Sequence, residues 1–186
     1  MNTIRSFFVP KIPSIPLTKD IYTKNVLKEQ FLLHKEYVLK RKQLKCVRLP
    51  GIPEDISENI IKFILHKVGI TDSTWNCKTG DLYSRAEGVQ ECKCFTSIGP
   101  MSFSPSSDWD CIYFLDAREW LHDTFKLYKC KHKKSSSEWK NLKVNKLQTF
   151  EDQCKQQRRP RMNWSLISSQ IECELIFEGL FNEIVN

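Results

Sequence analysis

The chain has 186 residues, with 29 lysines and arginines against 22 aspartates and glutamates, and a net charge of +7. This length fits one domain with a core of its own. No apolar run approaches the length of a membrane span, and no signal-peptide core follows the first residue, so we expect an intracellular protein without a membrane partner.

The charge is distributed in blocks along the chain. Residues 1–50 and residues 120–165 each carry a net charge of +8, whereas residues 51–119 carry −5 and the last 21 residues carry −4. Basic segments attract phosphate backbones, and acidic residues can hold a metal ion. The pattern suits a metal site set between phosphate-binding segments, although a run of charge can also be a solvated face.

Residues 1–18 are the first predicted segment. Three prolines favour an extended chain here: Pro10, Pro13 and Pro16. Three apolar residues are similar to the hydrophobic plug of peptides that bind a DNA sliding clamp: Ile4, Phe7 and Phe8. The alternative is an apolar strap that packs onto the domain or onto a partner subunit.

Two helices are predicted next. A basic amphipathic helix over residues 20–45 could pack on the core, pair with another subunit or follow a DNA backbone. A second helix over residues 54–68 has isoleucines at helical spacing, with Glu54 and Asp55 suited to its first turn. Glu58 lies off the apolar stripe of this second helix and is either a surface charge or a residue directed into a site.

Strands are predicted around residues 80–84, 88–95, 110–116 and 125–131. Side chains alternate along a strand, so Glu91 and Lys93 share one face, while Cys92 and Cys94 share the other. A tight turn between the first two strands brings Asp81 close to Glu91. One face therefore carries two carboxylates and an amine.

Two carboxylates beside a lysine suit metal-dependent cleavage of a phosphodiester. Mg²⁺ prefers oxygen ligands, which Asp81, Glu91 and the main-chain carbonyl of Cys92 can supply. Lys93 could position the attacking water or stabilise the charge that develops on the phosphate. A solvated strand with an ion pair along one face is the simpler alternative.

Candidate DNA contacts lie mostly in the basic part of the chain. Residues 131–148 indicate an arm or hairpin outside the core, and Thr149 with Asp152 begins a predicted helix. Arginine can read guanine and glutamine can read adenine, or such residues can contact phosphates only. The candidates are Ser97, Ser102, Lys140, Lys143, Gln153, Gln157, Arg158, Arg159 and Arg161. The stretch from Trp164 to Phe181 is predicted to pack as one helix.

The eight cysteines contain no Cys-x-x-Cys pair. Several lie in predicted strands beside apolar residues, where cysteine acts as a small apolar side chain. We therefore expect reduced thiols. The alternative is a zinc site built from some of these residues: Cys77, Cys92 or Cys94 with His122 or His132.

Residues 77–116 combine the triad of Asp81, Glu91 and Lys93 with further short patterns. These are Cys94-Phe95-Thr96-Ser97, Gly99-Pro100 with Ser102-Phe103, and Trp109-Asp110 before Ile112-Tyr113-Phe114-Leu115-Asp116. Further along stand Gln153 and Arg158-Arg159-Pro160-Arg161. With these motifs the chain resembles type II restriction endonucleases of the PD-(D/E)xK nuclease fold, over roughly residues 50–165. Gly80 departs from the pattern, since many members have a proline there that shapes the turn.

The resemblance implies an α/β fold with a mixed central sheet flanked by helices. Residues 19–186 would form a single nuclease domain with a basic DNA-binding arm around residues 120–165. Asp81 and Glu91 would be metal ligands and Lys93 the catalytic lysine, and Glu58 would be the glutamate that a helix before the sheet offers in many such nucleases.

The implied activity is Mg²⁺-dependent, sequence-specific cleavage of double-stranded DNA by a homodimer, with a companion DNA methyltransferase as a possible partner. Two alternatives stay open from the residues. One is a repair or junction nuclease of the same fold, and the other is a nucleic-acid-binding protein without catalysis.

Overall fold

The computed structural model describes residues 22–76 and 81–186. The predicted extended segment 1–18, with its clamp-like apolar residues, lies outside the described residues. Cys77 and Gly80 lie outside them as well.

Two long helices open the described chain. Helix α1 spans Lys24–Gln43 and begins at Thr23, whose hydroxyl accepts the main-chain N–H of Val26 at 3.2 Å. Helix α2 spans Glu54–Lys67 and carries acidic residues in its first turn, which suits the positive end of the helix dipole. Both agree with the predicted helices to within a few residues.

A mixed six-stranded sheet forms the centre of the fold, beside a separate two-stranded sheet. The strand bounds are β1 Thr74–Trp75, β2 Leu82–Ser84, β3 Gly88–Phe95, β4 Met101–Ser102, β5 Cys111–Asp116, β6 Thr124–Cys130, β7 Arg161–Met162 and β8 Glu174–Leu180. The large sheet has the order β1-β2-β3-β5-β6-β8, in which β3 and β5 pair in parallel and the other neighbours pair antiparallel. Strands β4 and β7 form the small sheet.

Helices cover both faces of the large sheet. On one face, α1, α2 and the C-terminal helix α6 (Phe181–Val185) bury a first core that includes Phe31, Ile60 and Phe125. On the other face, α3 (Ser137–Asn141), α4 (Phe150–Lys155) and α5 (Trp164–Ser168) bury a second core around Phe114 and Trp139. The predicted mixed α/β fold with flanking helices is confirmed.

The expected arm over residues 131–148 is instead packed against the sheet. Trp139 is fully buried and Leu142 nearly so, and both belong to the second core. The indole N–H of Trp139 donates to the carbonyl of His132 at 3.2 Å. The many lysines of this segment obscured two apolar anchors, so the prediction that it stands outside the core is wrong.

The single helix expected from Trp164 to Phe181 is also wrong. Helix α5 ends at Ser168, and β8 then runs along β6 as the edge strand. Pairing explains the difference, since β8 hydrogen-bonds along β6 and places Phe177 in the first core. The exposed ion pairs of Glu178 with Lys126 and of Glu174 with Lys131 contribute little to it. Within the described residues, no helix combines the length and the apolar character that a membrane span needs.

Candidate active site

The turn between β2 and β3 sets the positions of Asp81 and Glu91. Leu82 pairs with Gln90 across this hairpin, so the same register places Asp81 opposite Glu91. Gly88 has φ +76°, and a Cβ there would lie 2.1 Å from Oδ2 of Asp110. The absence of a side chain lets that carboxylate accept the main-chain N–H of Val89 at 3.0 Å, which ties the hairpin to the start of β5.

A cleft of about 410 Å³ lies where β3 extends beyond β2. Three parts of the fold line it: α2, the β2–β3 hairpin and the segments around the small sheet. Its lining residues are Ile52, Glu54, Ser57, Glu58, Asp81, Cys92, Lys93, Cys94, Met101, Ser102, Ser104 and Arg159. Acidic groups thus meet hydroxyl groups and an arginine in one concave surface.

The carboxyl group of Asp81, which lines the cleft, contacts that of the buried Glu91. Burial is the largest cause that raises the pKa of Asp81, and a hydrogen bond to Glu91 and the charge of Glu91 add to it, which brings the pKa to about 9. Asp81 therefore keeps a proton near neutral pH and donates it to Glu91. Asp81 also has φ +62°, a left-handed conformation that costs roughly 1 kcal/mol for a residue with a side chain.

Lys93 lies beside this pair. Its Nζ is 2.5 Å from Oε1 of Glu91 and 5.8 Å from the centre of the Phe103 ring. Burial lowers the pKa of Lys93, but the charge of Glu91 and its hydrogen bond outweigh burial, so the pKa stays above its usual value. Lys93 is consequently a cation, able to donate hydrogen bonds but unable to accept a proton.

The donor set fits a hard divalent cation. Asp81 and Glu91 offer carboxylate oxygens, and a cation between them would replace the proton that they share. No group of three or more His, Cys, Asp or Glu residues with metal-site geometry occurs in the described part of the chain, so further ligands would be main-chain carbonyls and water. Magnesium accepts such a set, because it keeps several waters in protein sites.

The zinc alternative finds no support among the described residues. Burial raises the pKa of the Cys92 thiol well above its usual value and that of Cys94 to about 12, which disfavours the thiolates that zinc binds. His132 faces Glu138 instead, with 3.5 Å between Nδ1 and Oε2. Each described cysteine is a free thiol, in line with the predicted reduced state.

Glu58 is buried at the wall of the cleft, with 8% of its surface exposed. Its Oε2 accepts the indole N–H of Trp75 at 2.6 Å, and its charge contributes to the raised pKa of Asp81. The alternative that Glu58 is a surface charge is therefore wrong. The sequence pattern does not mark Trp75, because a two-residue strand has no periodicity and only the need of its half-buried indole for an acceptor distinguishes it.

Some predicted DNA contacts come together at the mouth of the cleft. Ser102 and Arg159 both line it and are exposed. Arg161 is exposed and pairs with Ser102 across the small sheet, and Arg158 is exposed in the turn before it. Ser97 lies exposed just after β3, where its hydroxyl accepts the N–H of Gly99 at 3.2 Å.

The remaining predicted contacts lie outside the lining of the cleft. Lys140 and Lys143 are exposed at the end of α3 and just after it, and Gln157 is exposed after α4 with φ +56°. Gln153 is buried, with 6% of its surface exposed, and its side-chain amide donates to Gln148 at 3.2 Å. The polar end of Gln153 thus has a partner within the protein, and its contact with a base stays a prediction.

A mixed α/β sheet with two touching carboxylates and a half-buried lysine at one end defines the class. These are the features of a nuclease with a restriction-endonuclease-like fold, and the basic residues at the cleft suit a polyanionic substrate.

Comparison with known protein families supports this class. Residues 22–173 match the model of the family described as Bsp6I restriction endonuclease. The chain belongs to this family of restriction endonucleases, which are enzymes that cleave DNA at specific sequences. No curated protein and no solved structure matches the chain.

Proposed function

We propose that the protein is a type II restriction endonuclease that cleaves both strands of duplex DNA at a specific sequence with Mg²⁺. The observation that carries this proposal is the contact of Asp81 with Glu91, beside Lys93 at 2.5 Å, in a cleft that Arg159 also lines. A proton shared between two carboxylates suits replacement by a divalent cation, and a protonated lysine suits a phosphate.

Asp81, Glu91 and the main-chain carbonyl of Cys92 would hold the magnesium ion. When bound, the ion polarises the scissile phosphate and increases the acidity of water at the site. Asp81 would lose the proton that it shares with Glu91 when the ion is bound, because the proton and the cation compete for the same carboxylate oxygens. Glu91 keeps its contact with Lys93.

Lys93 stays protonated and donates hydrogen bonds. In the cleft its ammonium group stabilises the negative charge that builds up on the phosphate or orients the attacking water. Glu58 adds a carboxylate on the α2 side of the cleft. The charge and hydrogen bond of Glu91 raise the pKa of Lys93, which favours its protonated form and suits a hydrogen-bond donor.

Ser102, Arg159, Arg158 and Arg161 are our candidates for contacts to the DNA at the mouth of the cleft. Phosphate contacts fix the register of the duplex, and contacts of arginine with guanine can specify the sequence. Lys140 and Lys143 would extend the basic surface away from the reacting phosphate, and the uncharged side chains of Ser97 and Gln157 would add hydrogen bonds.

One cleft cuts one strand at a time, so we propose a homodimer whose two-fold axis matches a palindromic site. Host DNA needs protection from such an enzyme, and we propose a companion methyltransferase that modifies the same site inside the cell.

The test is digestion of unmethylated plasmid and of a small viral genome by the full-length protein with Mg²⁺ or with EDTA, with Glu91→Ala alongside. We expect discrete fragments that need Mg²⁺ and disappear in the variant, and direct conversion of supercoiled to linear plasmid if two sites act together. A smear would indicate a non-specific or structure-directed nuclease, and branched duplexes would then be tried. No cleavage of any substrate would contradict the proposal.

A further inference from the structure

The short strand β1 contacts both acidic walls of the cleft. The indole N–H of Trp75 donates to Oε2 of Glu58 at 2.6 Å. The next residue, Asn76, donates its main-chain N–H to the carbonyl of Asp81 at 3.0 Å. The last residue of β1 and the residue after it therefore contact a carboxylate of α2 and the main chain of the hairpin acid.

The Trp75 ring is itself held in place. Tyr22 packs edge-on against it, with 5.3 Å between ring centres. The Tyr22 hydroxyl donates to the carboxylate of Asp55, one turn before Glu58 on α2, and the buried Lys62 ammonium donates to the Tyr22 carbonyl at 2.9 Å. The anchored Tyr22 ring thus packs against the half-buried indole and favours the orientation in which the indole N–H meets Glu58.

We propose that Trp75 is a positioning residue that holds the Glu58 carboxylate at the cleft through its indole N–H. A buried carboxylate needs hydrogen-bond donors that hold it in one rotamer, and a tryptophan donates without adding a charge. Trp75 engages Oε2 and thereby sets the direction of the carboxylate at the wall of the cleft. This inference rests on the proposed function, because it explains how Glu58 would take part in the cleavage of DNA.

The variant that isolates the N–H is Trp75→Phe, which keeps an aromatic ring against Tyr22. We expect kcat to fall by about 10- to 100-fold, as for other groups that orient a site residue, with KM for DNA unchanged. In a Glu58→Gln background the same substitution should cause no further loss, because Trp75 acts through the Glu58 charge.

Trp109→Phe is the matched control. Trp109 is also packed beside the sheet, but its indole nitrogen has no hydrogen-bond acceptor within the described residues. The control therefore removes the same atoms without breaking a hydrogen bond. We expect it to lower the thermal unfolding midpoint and to leave kcat near that of the wild type.

A second readout does not depend on cleavage. The proton resonance of the Trp75 indole N–H, assigned by its loss in Trp75→Phe, should move upfield in Glu58→Gln, because a neutral acceptor forms a weaker hydrogen bond. The same resonance should stay in place in Glu91→Ala.

The outcomes separate the two proposals. If the wild-type protein does not cleave DNA, the proposed function fails, and the indole resonance alone decides whether Trp75 holds Glu58. If the wild-type protein cleaves and Trp75→Phe cleaves equally well, the inference fails. A fall in kcat from Trp75→Phe that is equally large in the Glu58→Gln background would also overturn the inference. An indole N–H resonance that does not move in Glu58→Gln would overturn it as well.

Discussion

Two carboxylate–lysine clusters lie at different positions along the same sheet, and they are built in opposite ways. The Glu91 cluster contains Glu91, Asp81 and Lys93, and two of its members are acids in contact. The Glu87 cluster surrounds one acid with donors: Lys129, the Tyr113 hydroxyl and the Gln90 amide all donate to the Glu87 carboxylate.

The electrostatics of the two clusters differ accordingly. Burial alone would raise the pKa of Glu87, but the hydrogen bonds from Lys129 and Tyr113 and the charge of Lys129 lower it below its usual value. In the Glu91 cluster, burial and the second acid raise the pKa of Asp81 to about 9. The Glu87 cluster is satisfied within the protein, whereas the Glu91 cluster has an excess of acid that a cation would neutralise. The first arrangement favours stability, and the second favours function.

The largest expected effect comes from removing the lysine of each cluster. Lys93→Ala should lower the rate of cleavage by about 100- to 1000-fold, because the cation nearest the reacting phosphate is lost. It should still bind the target duplex in the absence of Mg²⁺. Single-turnover cleavage and an electrophoretic mobility shift measure the two quantities.

Lys129→Ala is the control for that substitution. It leaves Glu87 partly buried without its cation, so it should lower the free energy of unfolding by about 2 kcal/mol while the folded enzyme still cleaves. A Lys93→Ala enzyme with full activity would remove Lys93 from the mechanism, and a folded but inactive Lys129→Ala enzyme would remove the contrast between the clusters.

An intermediate effect is expected on pH dependence without metal. The pKa of Asp81 rises from 3.8 to about 9 on folding, so the unfolded chain releases this proton at a lower pH than the folded protein. The contribution of Asp81 to stability is therefore fully present below about pH 4 and is lost as the pH rises through 9. Since the cation displaces the proton, Mg²⁺ should bind more tightly and raise the unfolding midpoint more as the pH rises.

Thermal unfolding across this pH range with and without Mg²⁺ checks the prediction, with Asp81→Asn as the control. The variant has no proton to release, so its response to Mg²⁺ should be small at every pH. A Mg²⁺ effect that is independent of pH in the wild-type protein would contradict the shared proton.

The smallest expected effect concerns the mouth of the cleft. Arg159→Ala should weaken DNA binding with little change in kcat. It should also reduce the slope of log affinity against log salt concentration by about one, which is the contribution of one phosphate contact. Lys155→Ala removes an exposed cation that pairs with Glu151 on α4 and serves as the control. Equal salt slopes for the two variants would argue against a DNA contact by Arg159.

The sequence predicts the Glu91 cluster better than the rest of the molecule. Alternation along β3 places Glu91 and Lys93 together, and a short hairpin brings Asp81 to them, so local spacing was sufficient. The Glu87 cluster joins residues that are far apart in the sequence, and nothing in the neighbourhood of Glu87 points to Lys129. The two wrong predictions have the same origin, because each depends on a contact that the local sequence does not show. β8 is a strand because it pairs with β6, and residues 131–148 lie against the sheet because Trp139 packs in the second core.

The central claim is that cleavage of DNA requires the acidic pair of the Glu91 cluster and does not require the hydrogen-bonded acid of the Glu87 cluster. Its most direct test is the Mg²⁺-dependent plasmid digestion with Glu91→Ala and Glu87→Ala side by side, below the unfolding temperature of both variants. We predict no fragments from Glu91→Ala and the wild-type fragments from Glu87→Ala. Fragments from Glu91→Ala, or none from a folded Glu87→Ala, would contradict the account.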